Sequence, residues 1–208
     1  MGISREQAAK NRVAIIDAAE KLFRERGVDA VGLIDLMDAA GFTRGGFYNH
    51  FKSKDDLVAA VMTKAVEEGG ARFGASIKES KAAGLDPLAR QIDWYLSEDH
   101  RTDIDCGCPL SGFAGEVRRL DEVAQERYAE GVGAALEHMT AIVARPGEKP
   151  AQARARAVAV FAEMVGSLLL SRAVAGKAPE LSDEILASGR RHLRDAAKID
   201  PACASTTG

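Results

Sequence analysis

The segment Gly41–Leu57, GFTRGGFYNHFKSKDDL, constrains the fold of this chain more than any other stretch. Gly41 supplies a turn, and Thr43 carries a hydroxyl suited to capping a helix start. Ser53, with Asp56 three residues on, gives a capping-box pattern for a second start. A very short helix must therefore lie between a turn and a new helix. At ~100° per residue Phe47 and Phe51 share one face, which assigns both to the core. The opposite direction falls to Asn49, with Gly45 beside it. Arg44 and Tyr48 flank one side and His50 the other. Two glycines in so short a helix cost about 1 kcal/mol each relative to alanine. Such a helix is not built for its own stability. Absent side chains let a backbone approach another surface closely, so the residues point to an element that reads another molecule.

The flanking chain supplies the support. Residues 4–26 predict a helix with Val13, Ile16, Ala19 and Phe23 at helical spacing, widened by Ile15, Ala18 and Leu22. Gly27 is its expected stop. Residues 33–40 predict a short second helix with Leu33, Leu36, Met37 and Ala40 inward. The helix opened by Ser53 should be interrupted at Gly69-Gly70 and resume to about residue 83. Asp86-Pro87 starts a fifth helix carrying Leu88, Ile92, Tyr95 and Leu96. Residues 97–107 form the longest polar loop, and Pro109 opens a sixth helix with Leu110, Phe113 and Val117 inward. Asp121 caps a seventh, with Val123, Tyr128, Val132, Leu136, Met139 and Val143 inward. After the RPGEKP break, an apolar helix spans 151–175, and Ser182-Asp183 caps a last helix to about residue 198. No strand pattern occurs, so the expectation is an all-α protein of about nine helices.

Composition sets limits. Hydrophobic residues make up 46% of the 208, enough for a packed core. The longest apolar run, around Val165–Leu170, is followed by Ser171 and Arg172 and falls short of the ~18 residues of a membrane span. With no leader pattern, a cytoplasmic protein without a membrane partner is expected. Residues 1–60 hold nine Lys/Arg and nine Asp/Glu, so composition alone does not predict a polyanion partner. No nucleophile–base pair, phosphate loop, cofactor motif or standard metal spacing occurs, which argues against an enzyme.

The string AAGFTRGGFYNHFKSKDDL resembles the signature of the TetR family of transcriptional regulators, with a match over residues 13–57. The resemblance implies a three-helix helix-turn-helix DNA-binding domain at 1–56 and a helical effector-binding and dimerisation domain at 57–198. Residues 199–208 are expected to be a disordered tail. It implies a homodimer through the last two helices, a palindromic double-stranded operator and release by a small effector. Carried over by position, Arg44, Gly45 and Asn49 face bases, and Thr43, Tyr48, His50 and Lys54 hold phosphates. Arg forks to guanine, Asn pairs with adenine, and Tyr, Lys and helix N-termini suit phosphate. Four positions depart from the pattern. Gly32 and Leu33 stand where Ser or Thr is common, Met37 replaces a usual Ala, and Ile34 sits where relatives carry a base-contacting Arg. Reading is therefore expected to fall on the third helix. Arg5, Lys10 and Arg12 read as a solvated face or as a basic arm touching the phosphate backbone.

Asp105-Cys106-Gly107-Cys108-Pro109-Leu110 resembles the Gly-Cys segment of a TetR branch that senses electrophiles and oxidants. Cys108 at the N-cap of the sixth helix would have a stabilised thiolate, opposed by Asp103 and Asp105. Packing of Cys108 is the alternative, and a metal site from His100, Asp103, Cys106 and Cys108 is a third. Trp94, Tyr95, Phe113, Tyr128, His138, Met139, Phe161 and Met164 are candidates to line an effector pocket, though each also suits a core. The competing reading of the whole chain is a helical small-molecule-binding or assembly protein without sequence-specific DNA binding. It leaves the outward polar residues of the Gly-Gly helix unexplained.

Overall fold

The computed structural model describes residues 4–199. The expected tail beyond residue 199, with Cys203, lies outside them. Among the described residues there are nine α-helices and two short 3-10 helices, with no strand: α1 (Arg5–Arg26), α2 (Leu33–Ala39), a 3-10 helix (Arg44–Asn49), α3 (Lys54–Ala82), α4 (Pro87–Tyr95), α5 (Glu98–Thr102), α6 (Pro109–Phe113), a second 3-10 helix (Val117–Arg119), α7 (Glu122–Val143), α8 (Pro150–Ala175) and α9 (Pro179–Ala197).

Caps explain most boundaries. Ser4 accepts from the Gln7 amide at the start of α1, and Gly27, at φ 86°, ends it. Before α3, Ser53 Oγ accepts from the Asp56 amide, and the Asp56 carboxylate accepts from Lys52 N. Asp86 and Asp121 cap α4 and α7 as expected.

Several expectations need correction. Residues 97–107 are not all loop: Ser97 accepts from His100 N and starts α5. The run EDHRT has no apolar stripe, so periodicity missed it. Gly69-Gly70 does not interrupt α3, which runs unbroken over 29 residues. A cost of about 1 kcal/mol per glycine is small beside the packing of apolar residues along such a helix. Ser182-Asp183 does not cap the last helix. That helix begins at Pro179, and Ser182 is buried with its hydroxyl 2.7 Å from Ser171 Oγ. Val13 and Val123 face outward, at 52% and 47% exposure. The inward stripe of α1 is Ile15, Ile16, Ala19, Leu22 and Phe23.

The chain divides into two compact units. The first comprises 1–68 and 104–131. Its core joins α1, α2, the first 3-10 helix and the start of α3 through Ile15, Phe23, Leu36, Met37, Phe47, Phe51, Leu57 and Met62, with Phe113 and Ala124 added from the later segment. The second unit comprises 69–103 and the chain from residue 132 on. There α8 and α9 pack closely: a Cβ at Gly189 would sit 2.7 Å from Ser167 Oγ. Arg172 donates to the carbonyls of His100, Arg101 and Asp103, which satisfies the end of α5. By length and composition α8 is apolar enough to cross a bilayer, and 22% of its most apolar window is buried within the chain.

Candidate nucleic-acid interface

The chain leaves α2 through Gly41, at φ 76°, and enters Arg44–Asn49 as a 3-10 helix rather than an α-helix. Gly46 N donates to Thr43 O and His50 N to Phe47 O. Thr43 holds the N-cap position, but its hydroxyl makes no cap bond, contrary to expectation. The tighter winding, ~120° per residue, replaces the angular count made for an α-helix. Asn49 no longer stands alone opposite the phenylalanines. Arg44, Gly45, Tyr48 and Asn49 are all exposed, while Phe47 and Phe51 are buried with ring centroids 5.6 Å apart.

The two glycines serve different ends. A Cβ on Gly46 would lie 3.8 Å from the methyl of the fully buried Met37, an ordinary packing contact, so Gly46 faces the core. A Cβ on Gly45 would meet nothing within 4 Å. Gly45 thus presents bare backbone to solvent, as the sequence required for close approach.

Of the expected phosphate-binding residues, Thr43 is exposed, Tyr48 is 67% exposed with its ring edge-on to Phe47, and His50 is half-buried with its ring 6.5 Å from that of Phe42. Lys54 is placed differently. Its ammonium donates to Val28 O at 2.6 Å and lies 6.0 Å from the Phe23 ring. The Val28 amide donates in turn to Glu116 Oε2 at 2.9 Å. Ile34 is 53% exposed. The basic residues near the N-terminus belong to a helix rather than an arm: Lys10 pairs with Glu6, and Arg12 lies over the Phe51 ring at 4.6 Å.

Behind this surface lies a charge network that sequence reasoning missed. The Arg24 side chain is 1% exposed. It donates to Glu20 Oε1 at 2.6 Å and to Gly107 O at 2.9 Å, and lies 5.5 Å from the Phe113 ring. Lys64 reaches Glu20, Asp17 and Glu68. Partial burial works against its charge, yet those hydrogen bonds hold its ammonium above the usual lysine range. The i, i+4 spacing of Glu20 and Arg24 was visible, but nothing local said that the pair faces inward.

The remaining candidates fall in different units. Cys106, exposed, and Cys108, half-buried at the N-cap of α6, flank the glycine that Arg24 holds. Phe113 and Tyr128 also belong to the first unit, where Tyr128 donates to Leu110 O at 2.6 Å and burial pushes its phenol up to about 12. Trp94, Tyr95, His138, Met139, Phe161 and Met164 are in the second. Trp94 stacks on His100 at 4.3 Å, and Tyr95 meets the same imidazole edge-on at 4.7 Å. His138 sits edge-on to Phe73 and against Gly74, two neighbours not expected from sequence, and its Nδ1 is buried without a hydrogen bond. Met139 and Met164 are fully buried. Among the described residues no three potential metal ligands come together.

A capped helix, a short helix, a glycine turn and an outward polar helix anchored by two phenylalanines define a helix-turn-helix DNA-binding protein. Residues 15–61 match the family described as bacterial regulatory proteins, tetR family. The chain is 30% identical over 171 residues to the HTH-type transcriptional regulator TtgR of Pseudomonas putida, covering 78% of this chain and 80% of that one. It is 32% identical over 174 residues to the probable HTH-type transcriptional regulator ArpR, also of Pseudomonas putida, with the same shares covered. In fold it resembles a TetR transcriptional regulator from Chloroflexus aurantiacus (24% identity, TM-score 0.75, 94% of this chain and 98% of that). It also resembles FadR of Bacillus subtilis, solved in complex with stearoyl-CoA (20% identity, TM-score 0.59, 85% and 96%). The chain belongs to the TetR family, and it is a DNA-binding transcriptional regulator, not an enzyme.

Proposed function

We propose that the protein is a repressor that reads a palindromic operator with residues 44–49 and does so as a homodimer. The observation that carries this reading is the exposure of Arg44, Gly45, Tyr48 and Asn49 on a helix whose other face is locked by Phe47 and Phe51. Arg44 forks to guanine O6 and N7, Asn49 pairs with adenine N6 and N7, and Gly45 lets the backbone approach. Thr43, Tyr48 and His50 hold phosphates, with the amides at the start of α3 beside them. The DNA-reading domain is residues 1–56, and the domain from 57 to 198 carries effector binding and dimerisation.

The dimer is argued from α8 and α9. Only 22% of the apolar window of α8 is fully buried within the chain, and Val158, Leu170 and Leu181 are 45–61% exposed. A second copy on this face would bury them. It would also set two recognition helices one helical turn, about 34 Å, or a multiple apart. The regulator works in the cytoplasm, where its operator is.

Release follows from an effector with an apolar body, held by some of Trp94, Tyr95, His138, Met139, Phe161 and Met164. FadR of Bacillus subtilis, of the same fold, carries stearoyl-CoA. The second route is modification of Cys106 or Cys108, favoured by the seating of Gly107 O on the buried Arg24. Cys106→Ser and Cys108→Ser proteins should then keep operator bound under N-ethylmaleimide when the unaltered protein releases it.

The decisive experiment recovers genomic fragments bound by the purified protein. Arg44→Ala should then lose about tenfold of the preference for the recovered duplex over a scrambled one, the value of a bidentate base contact. An unchanged preference would remove residues 44–49 from base reading.

A further inference from the structure

The family match ends at residue 61, yet the first unit takes in 104–131 as well. One residue shows why this matters. Val28 lies in the turn between α1 and α2 and is 5% exposed. Its carbonyl accepts from Lys54 Nζ at 2.6 Å, and its amide donates to Glu116 Oε2 at 2.9 Å. The other oxygen of that carboxylate would be 2.5 Å from a Cβ on Gly27, so a side chain there would push the carboxylate aside, and the φ of 86° itself favours glycine. Lys54 is the first residue of α3, and Glu116 is the N-cap of the second 3-10 helix. A buried backbone group needs a partner, and here both partners are ionised side chains, the stronger kind.

The consequence follows from connectivity. Residues 44–49 are joined to α2 on one side and to the start of α3 on the other. The Lys54 bond fixes the start of α3 against the turn that precedes α2, so it sets both ends from which the reading helix hangs. Glu116 fixes the same turn from outside the helix-turn-helix.

We infer that Lys54 and Glu116 are positioning residues for operator binding, holding Val28 by its carbonyl and its amide so that residues 44–49 are presented in one orientation. This rests on the reading that 44–49 faces DNA. It differs from the expectation that the Lys54 ammonium holds a phosphate. It also opposes a purely electrostatic account of Glu116, in which removing a carboxylate near DNA would strengthen binding.

The test uses full-length Lys54→Met, Glu116→Ala and Glu116→Gln proteins. The probes are the duplex that the unaltered protein selects from a random-sequence library and a scrambled duplex of equal composition. Affinities are measured over a salt series. Lys54→Met and Glu116→Ala should each weaken operator binding about tenfold, the order expected for a charge-assisted hydrogen bond. The salt slope and the affinity for scrambled DNA should hold. Glu116→Gln should retain most operator affinity, because its amide oxygen still accepts from the Val28 amide. For Lys54→Met, a slope reduced by about 1.8, one phosphate from each protomer, with both duplexes weakened alike would make Lys54 a phosphate contact and overturn the inference. Operator binding by Glu116→Ala at or above the unaltered level would overturn it too. If Glu116→Ala does not fold, Glu116→Asp, one methylene short, replaces it under the same two criteria. Arg44→Ala, run in parallel, separates the claims: retained preference there counts against the reading of 44–49, whatever the other variants do.

Discussion

Removing Glu20 and removing Arg24 should cost the fold unequally, although they form one ion pair. The Arg24 side chain is 1% exposed and that of Glu20 12%, with Nη2 and Oε1 2.6 Å apart. Glu20→Ala leaves a buried guanidinium with Gly107 O as its remaining acceptor and Nε already without a partner. A buried charge stripped of its counterion costs about 3–5 kcal/mol. Arg24→Met leaves Glu20 with Lys64 Nζ at 3.2 Å, so the anion stays compensated. The loss is then two hydrogen bonds from a charged donor, offset in part by apolar burial of the methionine chain, which leaves about 1–3 kcal/mol. The double replacement Glu20→Met/Arg24→Met removes both charges, while Lys64 keeps Asp17 and Glu68. It should lie closer to the unaltered protein than Glu20→Ala does. Urea unfolding at one fixed protein concentration measures all three, since a dimer would make the midpoint depend on concentration. If Arg24→Met proves costlier than Glu20→Ala, Lys64 is not compensating Glu20 and the reasoning fails.

Three further outcomes are expected. Gly131→Ala places a Cβ 2.5 Å from Val66 Cγ1 and should destabilise by about 1–3 kcal/mol, whereas Gly70→Ala meets nothing within 4 Å and should stabilise α3 by about 0.5–1 kcal/mol; thermal unfolding gives both signs. Burial lowers the His100 imidazole from 6.5 to about 4, against its bond to Tyr95 O. Between those values the unfolded chain takes up a proton that the folded chain refuses, so stability is full above pH 6.5 and falls towards pH 4, by about 3 kcal/mol at most; His100→Asn should flatten the upper part of that decline in denaturation midpoints. Leu170→Glu, at a position 61% exposed on α8, should leave the fold intact and yield monomers by analytical ultracentrifugation; unchanged dimers would exclude that face.

How much of this was legible in the sequence varies with the range of the forces involved. Caps are local, so Ser53, Asp86 and Asp121 marked their helices correctly. Phe47 and Phe51 were legible as core because aromatics at that spacing have few other uses. The winding of 44–49 was not, because Thr43 and the glycines permit either helix and long-range packing decides. Val13 and Val123 fit a stripe by spacing but lie at its margin, where a small rotation of the helix exposes them. Ser182 was misjudged since a serine at a helix start caps and a serine between helices pairs, and only Ser171 across the interface distinguishes the two. Glu116 was invisible: its partner stands 88 residues earlier, and no local pattern records it.

The balanced charge of the first 60 residues takes on a different meaning once each acid is located. Glu6, Asp17, Glu20, Glu25 and Asp29 are in ion pairs, and the Asp56 carboxylate caps α3. Arg44 makes no ion pair among the described residues. The zero sum thus conceals an exposed cation with no acid paired to it, although Asp35, Asp38 and Asp55 are exposed as well and carry no ion pair among the described residues. The same placement limits the electrostatic part of binding. On the proposed reading Arg44 is committed to a base, Lys54 donates to Val28 O, and Thr43 and Tyr48 are neutral donors that release no counterion. Few phosphates per protomer are then neutralised, and affinity rests on geometry more than on charge. The slope of log affinity against log salt should therefore stay well short of the value of about −9 that ten neutralised phosphates produce. A steep slope would mean that cations outside this surface, such as Arg5 or Lys52, carry the binding, and that the outward face of residues 44–49 contributes only selectivity.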